Sequence, residues 1–128
     1  MAYTVKFKYT KEEAGTPVAI TGDFDNNLAT ELQSAQDAAG ITQEWSVSDD
    51  GRVNEWIYTS PSEAVWKQFC IDHLHPAIAE QNNVFSEMQK ENTVNGIQID
   101  VIIIDEEGVE TVNEFGDPDT VINALANS

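Results

Sequence analysis

The chain is short of the residues on which many functions depend. A single cysteine, Cys70, excludes an internal disulfide and a Cys-rich zinc knuckle. Six Lys and Arg stand against 23 Asp and Glu in 128 residues, and no base follows Lys90. Binding to a nucleic-acid backbone needs clustered cations that displace counterions, so direct nucleic-acid binding is excluded on charge. The longest apolar run is residues 101–104, against the ~20 residues of a membrane-spanning helix. The first residues alternate like a strand where a leader would be basic and then apolar, so the expectation is a soluble, cytoplasmic protein with no membrane association. The seven glycines are scattered singly, which leaves no phosphate-binding loop, and no GxSxG elbow frames a serine. No catalytic residue and no cofactor is expected.

What remains is an acidic chain with enough apolar material to fold. The net charge is −17, yet 41% of the residues are apolar, including five Phe, three Trp and three Tyr. Acidic disordered segments lack that aromatic and β-branched content. The length suits one domain, with a core over residues 3–104 and a C-terminal appendage over 105–128. Charge is uneven along it: Lys6, Lys8 and Lys11 occupy an acid-free N-terminal stretch, and residues 91–128 carry acids with no base.

Tyr3, Val5, Phe7 and Tyr9 alternate with polar residues, the period of a strand with one apolar face. The apolar patch at 18–20 is left unassigned. Leu28, Leu32, Ala35 and Ala39 recur at helical spacing between Asp25 or Asn26 as N-cap and Gly40, which predicts a helix over 27–39. Residues 42–48 and 52–59 form a hairpin about Asp49-Asp50-Gly51. A two-residue turn sets Trp45 opposite Trp56; a type I turn with a bulge at Gly51 pairs Val47 with Val53. In either register the second strand is apolar on both faces, with Val53 and Ile57 on one and Trp56 and Tyr58 on the other.

Ser60-Pro61-Ser62-Glu63 has the form of a capping box with proline at the first helical position, which predicts a helix over 61–75. Pro76 should break or kink that helix near His75, and a second piece should carry Ile78, Phe85 and Met88. Residues 97–104 form a further strand, 109–115 a short return strand, and Asp117-Pro118 opens a terminal helix.

This order predicts an α+β fold: a ferredoxin-like βαββαβ antiparallel sheet in the order 4-1-3-2, helices on one face, with a C-terminal short strand and helix added. It is compatible with a dimeric α/β-barrel arrangement, in which two sheets cover each other's open faces.

Three clusters have chemistry to weigh. Cys70, His73 and His75 are close in sequence, but on one helix they do not converge, so no metal site is expected; Cys70 reads as core and the histidines as cations near a helix C-terminus. Asp23, Asp25 and Asn27 open like a calcium loop, but Leu28 stands where glycine is needed and Ser34 where a bidentate Glu belongs. On the open sheet face, Lys6 and Lys8 lie beside whichever set, Trp56 and Tyr58 or Val53 and Ile57, points the same way, so Lys6, Lys8, Trp45, Trp56 and Tyr58 are ligand or interface candidates, with Asp100 as a cross-sheet partner for the lysines. Glu106, Glu107, Glu110 and Glu114 are the acidic interaction candidates. The expected function is that of a small accessory protein, homodimeric, whose acidic surface meets a basic protein partner, in its sharpest form as a nucleic-acid mimic. The alternative is a small-molecule-binding protein or cofactor-independent enzyme with a pocket on the open sheet face.

Overall fold

The computed structural model describes residues 2–10, 26–49, 52–80, 84–93 and 96–126. The apolar patch at 18–20, Asp23 and Asp25 of the calcium-loop candidate, and Gly51 lie outside them. The fold is α+β. Five strands, β1 (Tyr3–Thr10), β2 (Thr42–Val47), β3 (Val53–Ser60), β4 (Gln98–Ile104) and β5 (Glu110–Asn113), form one antiparallel sheet in the order β2-β3-β1-β4-β5. Its helices are α1 (Asn26–Ala38), α2 (Glu63–Phe69), α3 (His75–Ala79), α4 (Val84–Thr93) and α5 (Pro118–Ala126), with a π-helical turn, Cys70–Leu74, joining α2 to α3.

The alternation in β1 sets the two faces of the sheet. Tyr3, Val5, Phe7 and Tyr9 are buried, and Thr4, Lys6, Lys8 and Thr10 are half-buried on the other side. Phe7 pairs with Trp56 of β3 and Val101 of β4, whereas Lys6 pairs with Ile57 and Ile102. Directly paired residues share a face. The Phe7 side therefore carries Tyr58, Ile99 and Val101, and onto it pack Trp66, Phe69, Leu74, Ile78, Phe85, Met88 and Ile122 from the helices. Phe7 meets Tyr58 and Phe85 edge-on, at ring separations of 6.0 and 5.8 Å. Among the described residues no helix packs on the Lys6 side.

Two local expectations are corrected. The cap of α2 is Ser62, whose Oγ accepts from the Val65 N–H at 3.2 Å, and Ser60 is not the cap. Ser60 is drawn into β3 by its pairing with Tyr3, so the second serine of the motif takes over. Nor does the helix break at His75. The His75 N–H donates to the Cys70 carbonyl, five residues back, which widens one turn. Pro76 then falls at the start of α3, where its missing N–H is no loss. The chain leaves the helix after Ala79, where Glu80 is extended.

The C-terminal segment joins the same structure. β5 extends the sheet beyond β4, and α5 sends Ile122 into the core. Asp117 caps α5, its carboxylate accepting from Asp119 N–H and Thr120 Oγ1, with Pro118 as the first helical residue. No helix among the described residues is long and apolar enough to cross a membrane.

Candidate functional site

The candidate residues of the sheet are divided between its two sides. Lys6, Lys8 and Asp100 lie on the helix-free face, and Trp45, Trp56 and Tyr58 lie on the helix side. The hairpin takes the register with Trp45 opposite Trp56, their rings 6.3 Å apart. Trp45, on the edge strand, stays 49% exposed, whereas Tyr58 is buried in the core and its hydroxyl is pushed well above the usual phenol range by that burial. The partners of the lysines on the open face are therefore Ile57 and Glu55, not the aromatics.

Asp100 sits across from Lys8, yet among the described residues no ion pair joins them. At 8% exposure the carboxylate instead accepts from Gln98 Nε2 at 3.1 Å and from the Phe115 N–H at 3.2 Å. It thereby anchors the turn that leads from β5 to α5. In that turn Phe115 holds φ at 52°, a left-handed conformation uncommon for a bulky residue, with its side chain 59% exposed. Gly116 follows, where a Cβ would come within 3.0 Å of the Asn113 carbonyl oxygen.

Around these residues the helix-free face carries an apolar patch. One cross-strand row reads Glu44, Ile57, Lys6, Ile102, Val112, and the next reads Thr42, Thr59, Thr4, Ile104, Glu110. Ile102, Ile104 and Val112 are thus neighbours, with Ile57 beyond Lys6 on the same face and Thr and Glu at the rim, and Val112 is 49% exposed. Sequence reading identified the uncovered side of β4, but not Val112 or Phe115, because the partner strand of Val112 and the backbone of Phe115 have no local signature.

The four acidic candidates have different surroundings. Glu107, Glu110 and Glu114 are exposed. Glu106 is half-buried, and its Oε1 accepts from the Glu63 N–H at 3.2 Å, placing a carboxylate on the N-terminus of α2 where the helix dipole favours it. Asp105 organises the β4–β5 turn by accepting from the Glu107 and Val109 N–H groups, both at 2.9 Å.

Cys70, His73 and His75 do not converge. Cys70 is fully buried, His73 is exposed against the Phe69 ring, and His75 Nδ1 lies 2.6 Å from Asp119 Oδ1 on α5. Among the described residues neither atom has another hydrogen-bonding partner, and the contact is an ion pair when both ring nitrogens of His75 carry protons. Asp119 had no sequence signal, since helices distant in the chain bring the two residues together. Among the described residues no group of three His, Cys, Asp or Glu is arranged to hold a metal. Burial pushes the Cys70 thiol well above its ordinary range. A water-soluble disulfide reagent is therefore expected to leave Cys70 unmodified in the native protein over the time in which it modifies the denatured chain completely. Equal rates in the two states would refute the burial.

A concave site lies on the helix side of the sheet, between α5 and the β4–β5 hairpin. It is an open groove of about 530 Å³, within the size range of small-molecule sites. The sheet contributes Tyr3, Ile103 and Thr111, α5 contributes Val121 and Ala124, and the hairpin turn contributes Val109. Tyr3 pairs with Ser60 and Thr4 with Ile104, so β1 begins where β3 and β4 end. Two residues that follow those strand ends, Glu63 and Asp105, therefore line one end of the groove. Burial, then the charge of Glu63, with smaller pushes from Cys70, Asp105 and Glu106, raises the Tyr3 hydroxyl to about 12. Lys67 offsets part of this charge through a 3.1 Å contact with Glu63. Compared with protein-family models, with curated proteins and with solved structures, the chain matches none.

Proposed function

We propose that the protein is a non-enzymatic interaction protein that acts as a homodimer closed through the helix-free face of its sheet, its acidic exterior turned toward a basic protein partner. The observation that carries this reading is the apolar patch of Ile57, Ile102, Ile104 and Val112 on a sheet face with no helix among the described residues to cover it. Removing such a patch from water is favourable, and a two-fold axis lets one surface serve both copies. The strand order β2-β3-β1-β4 with helices on one side supports a ferredoxin-like βαββαβ unit extended by β5, and the bare face supports the closed arrangement of dimeric α/β barrels. The charge of −17 and the dearth of bases support an intracellular, soluble protein that meets cations and avoids nucleic acid.

Light scattering at tens of micromolar is expected to give the mass of a dimer; a monomer at that concentration overturns the reading. The acidic exterior has its own test. Glu107, Glu110 and Glu114 are exposed and outside the α2 cap, so converting all three to Lys reverses local charge without uncapping a helix. A basic protein captured from a lysate at low salt is expected to be released steeply as ionic strength rises and to be lost to the triple variant. Capture that survives the triple reversal removes these residues from the contact.

A further inference from the structure

The groove between α5 and the β4–β5 hairpin lies on the side of the sheet away from the dimer face, and what it would hold is a separate question from how two copies associate. We propose that this groove binds an amphipathic organic amine, with a primary ammonium head beside Glu63 and Asp105 and an apolar tail along Ile103, Val109 and Val121. Three features of the groove converge on that chemistry.

Its size, about 530 Å³, accommodates a molecule of small-metabolite dimensions, and much of its lining is apolar. A tail of several methylenes would remove Ile103, Val121 and the 56% exposed Val109 from water. The polar end has one sign. Glu63 and Asp105 bring two carboxylates to the lining at the strand ends, where no cationic residue among the described ones lines the groove. An anionic head would meet that field unfavourably, and a neutral one would gain little from it. An ammonium gains both charge and hydrogen bonds, because Asp105 and Glu63 present carboxylate acceptors. At the wall of the groove the Tyr3 hydroxyl is raised first by burial and then by the charge of Glu63. A metal ion is disfavoured, since the described carboxylates form no ligand cluster.

The test is calorimetric titration of the full chain at ~0.15 M salt, which screens diffuse attraction to a highly acidic protein. The probes are n-octylamine, octanoate with the same tail and opposite head, and methylamine with the same head and no tail. Saturable binding of one octylamine per chain is expected, with no saturation by octanoate or methylamine at equal concentration. Ala124→Trp, on the exposed side of α5, should fill the groove and weaken octylamine at least about tenfold, and Glu63→Gln at least about fivefold. Should the tryptophan variant lose its native circular dichroism, Thr120→Arg, also exposed, blocks the groove and adds a cation with the same expected loss. Octylamine that fails to bind, binds no better than methylamine or octanoate, or binds equally to the groove-filled variant overturns the proposal. None of these outcomes bears on the dimer, whose mass is read separately.

Discussion

Phe7→Ala is expected to cost about 3–5 kcal/mol of folding stability, a large part of the ~5–15 kcal/mol that holds a domain of this kind together. Phe7 occupies the middle of the central strand and is wholly buried, with strand partners on both sides. Truncation removes the transfer free energy of the ring and leaves a cavity that a sheet hydrogen-bonded on both edges cannot close. It also removes the edge-on contacts with Tyr58 and Phe85, each worth about 0.5–1.5 kcal/mol beyond the area buried. Lys8→Ala, one residue along but on the open face, should cost under about 1 kcal/mol. Urea unfolding followed by tryptophan fluorescence reads both changes as shifts in midpoint at constant slope. A loss below about 1 kcal/mol for Phe7→Ala would mean that the core is not centred on β1.

That contrast between neighbours was legible in the sequence, because β1 alternates without exception and a period of two assigns every residue to a face. The same logic failed in β3. Val53 and Ile57 on one side and Trp56 and Tyr58 on the other are both apolar, so alternation cannot say which side meets the helices. The choice is made by the pairing of Phe7 with Trp56, between strands far apart in the chain, and the bulkier set goes where the core is deepest. Parity then carries Asn54 inward as well. It is 1% exposed, and its amide atoms have no hydrogen-bonding partner, at a cost of about 1–3 kcal/mol.

At the start of α2, the capping-box motif pointed to Ser60, and Ser62 is the cap. Pairing between Ser60 and Tyr3 decides the matter, and such a pairing is invisible to a local motif. Pro76 was read as a helix breaker because a regular α-helix has no place for its ring. The π turn supplies one extra residue of slack just before it, which no propensity scale anticipates. The groove was not legible at all, since its walls come from β1, α2, the β4–β5 hairpin and α5, each unremarkable alone. Asp117-Pro118, by contrast, was read correctly because an N-cap followed by proline is a local, self-sufficient signal.

Ile102→Asp is expected to turn the dimer into a monomer at tens of micromolar while leaving the fold intact. Ile102 lies at the centre of the apolar patch, between Lys6 and Val112, and in a two-fold interface every substitution occurs twice. A carboxylate desolvated there at about 2 kcal/mol per copy weakens association by about 4 kcal/mol, close to a thousandfold in Kd. The monomer should tolerate the change, because the new charge faces water on the uncovered side and has the Lys6 ammonium as its cross-strand neighbour. Salt gives an independent sign. Two chains of −17 repel, and screening that repulsion should tighten the wild-type dimer as ionic strength rises, opposite to the release of a basic partner under the same change. Sedimentation equilibrium across a salt series measures both effects. A variant that stays dimeric, or a wild-type dimer that loosens with salt, would place the interface away from this face, because an association held by apolar burial against like charge can respond to screening in only one direction.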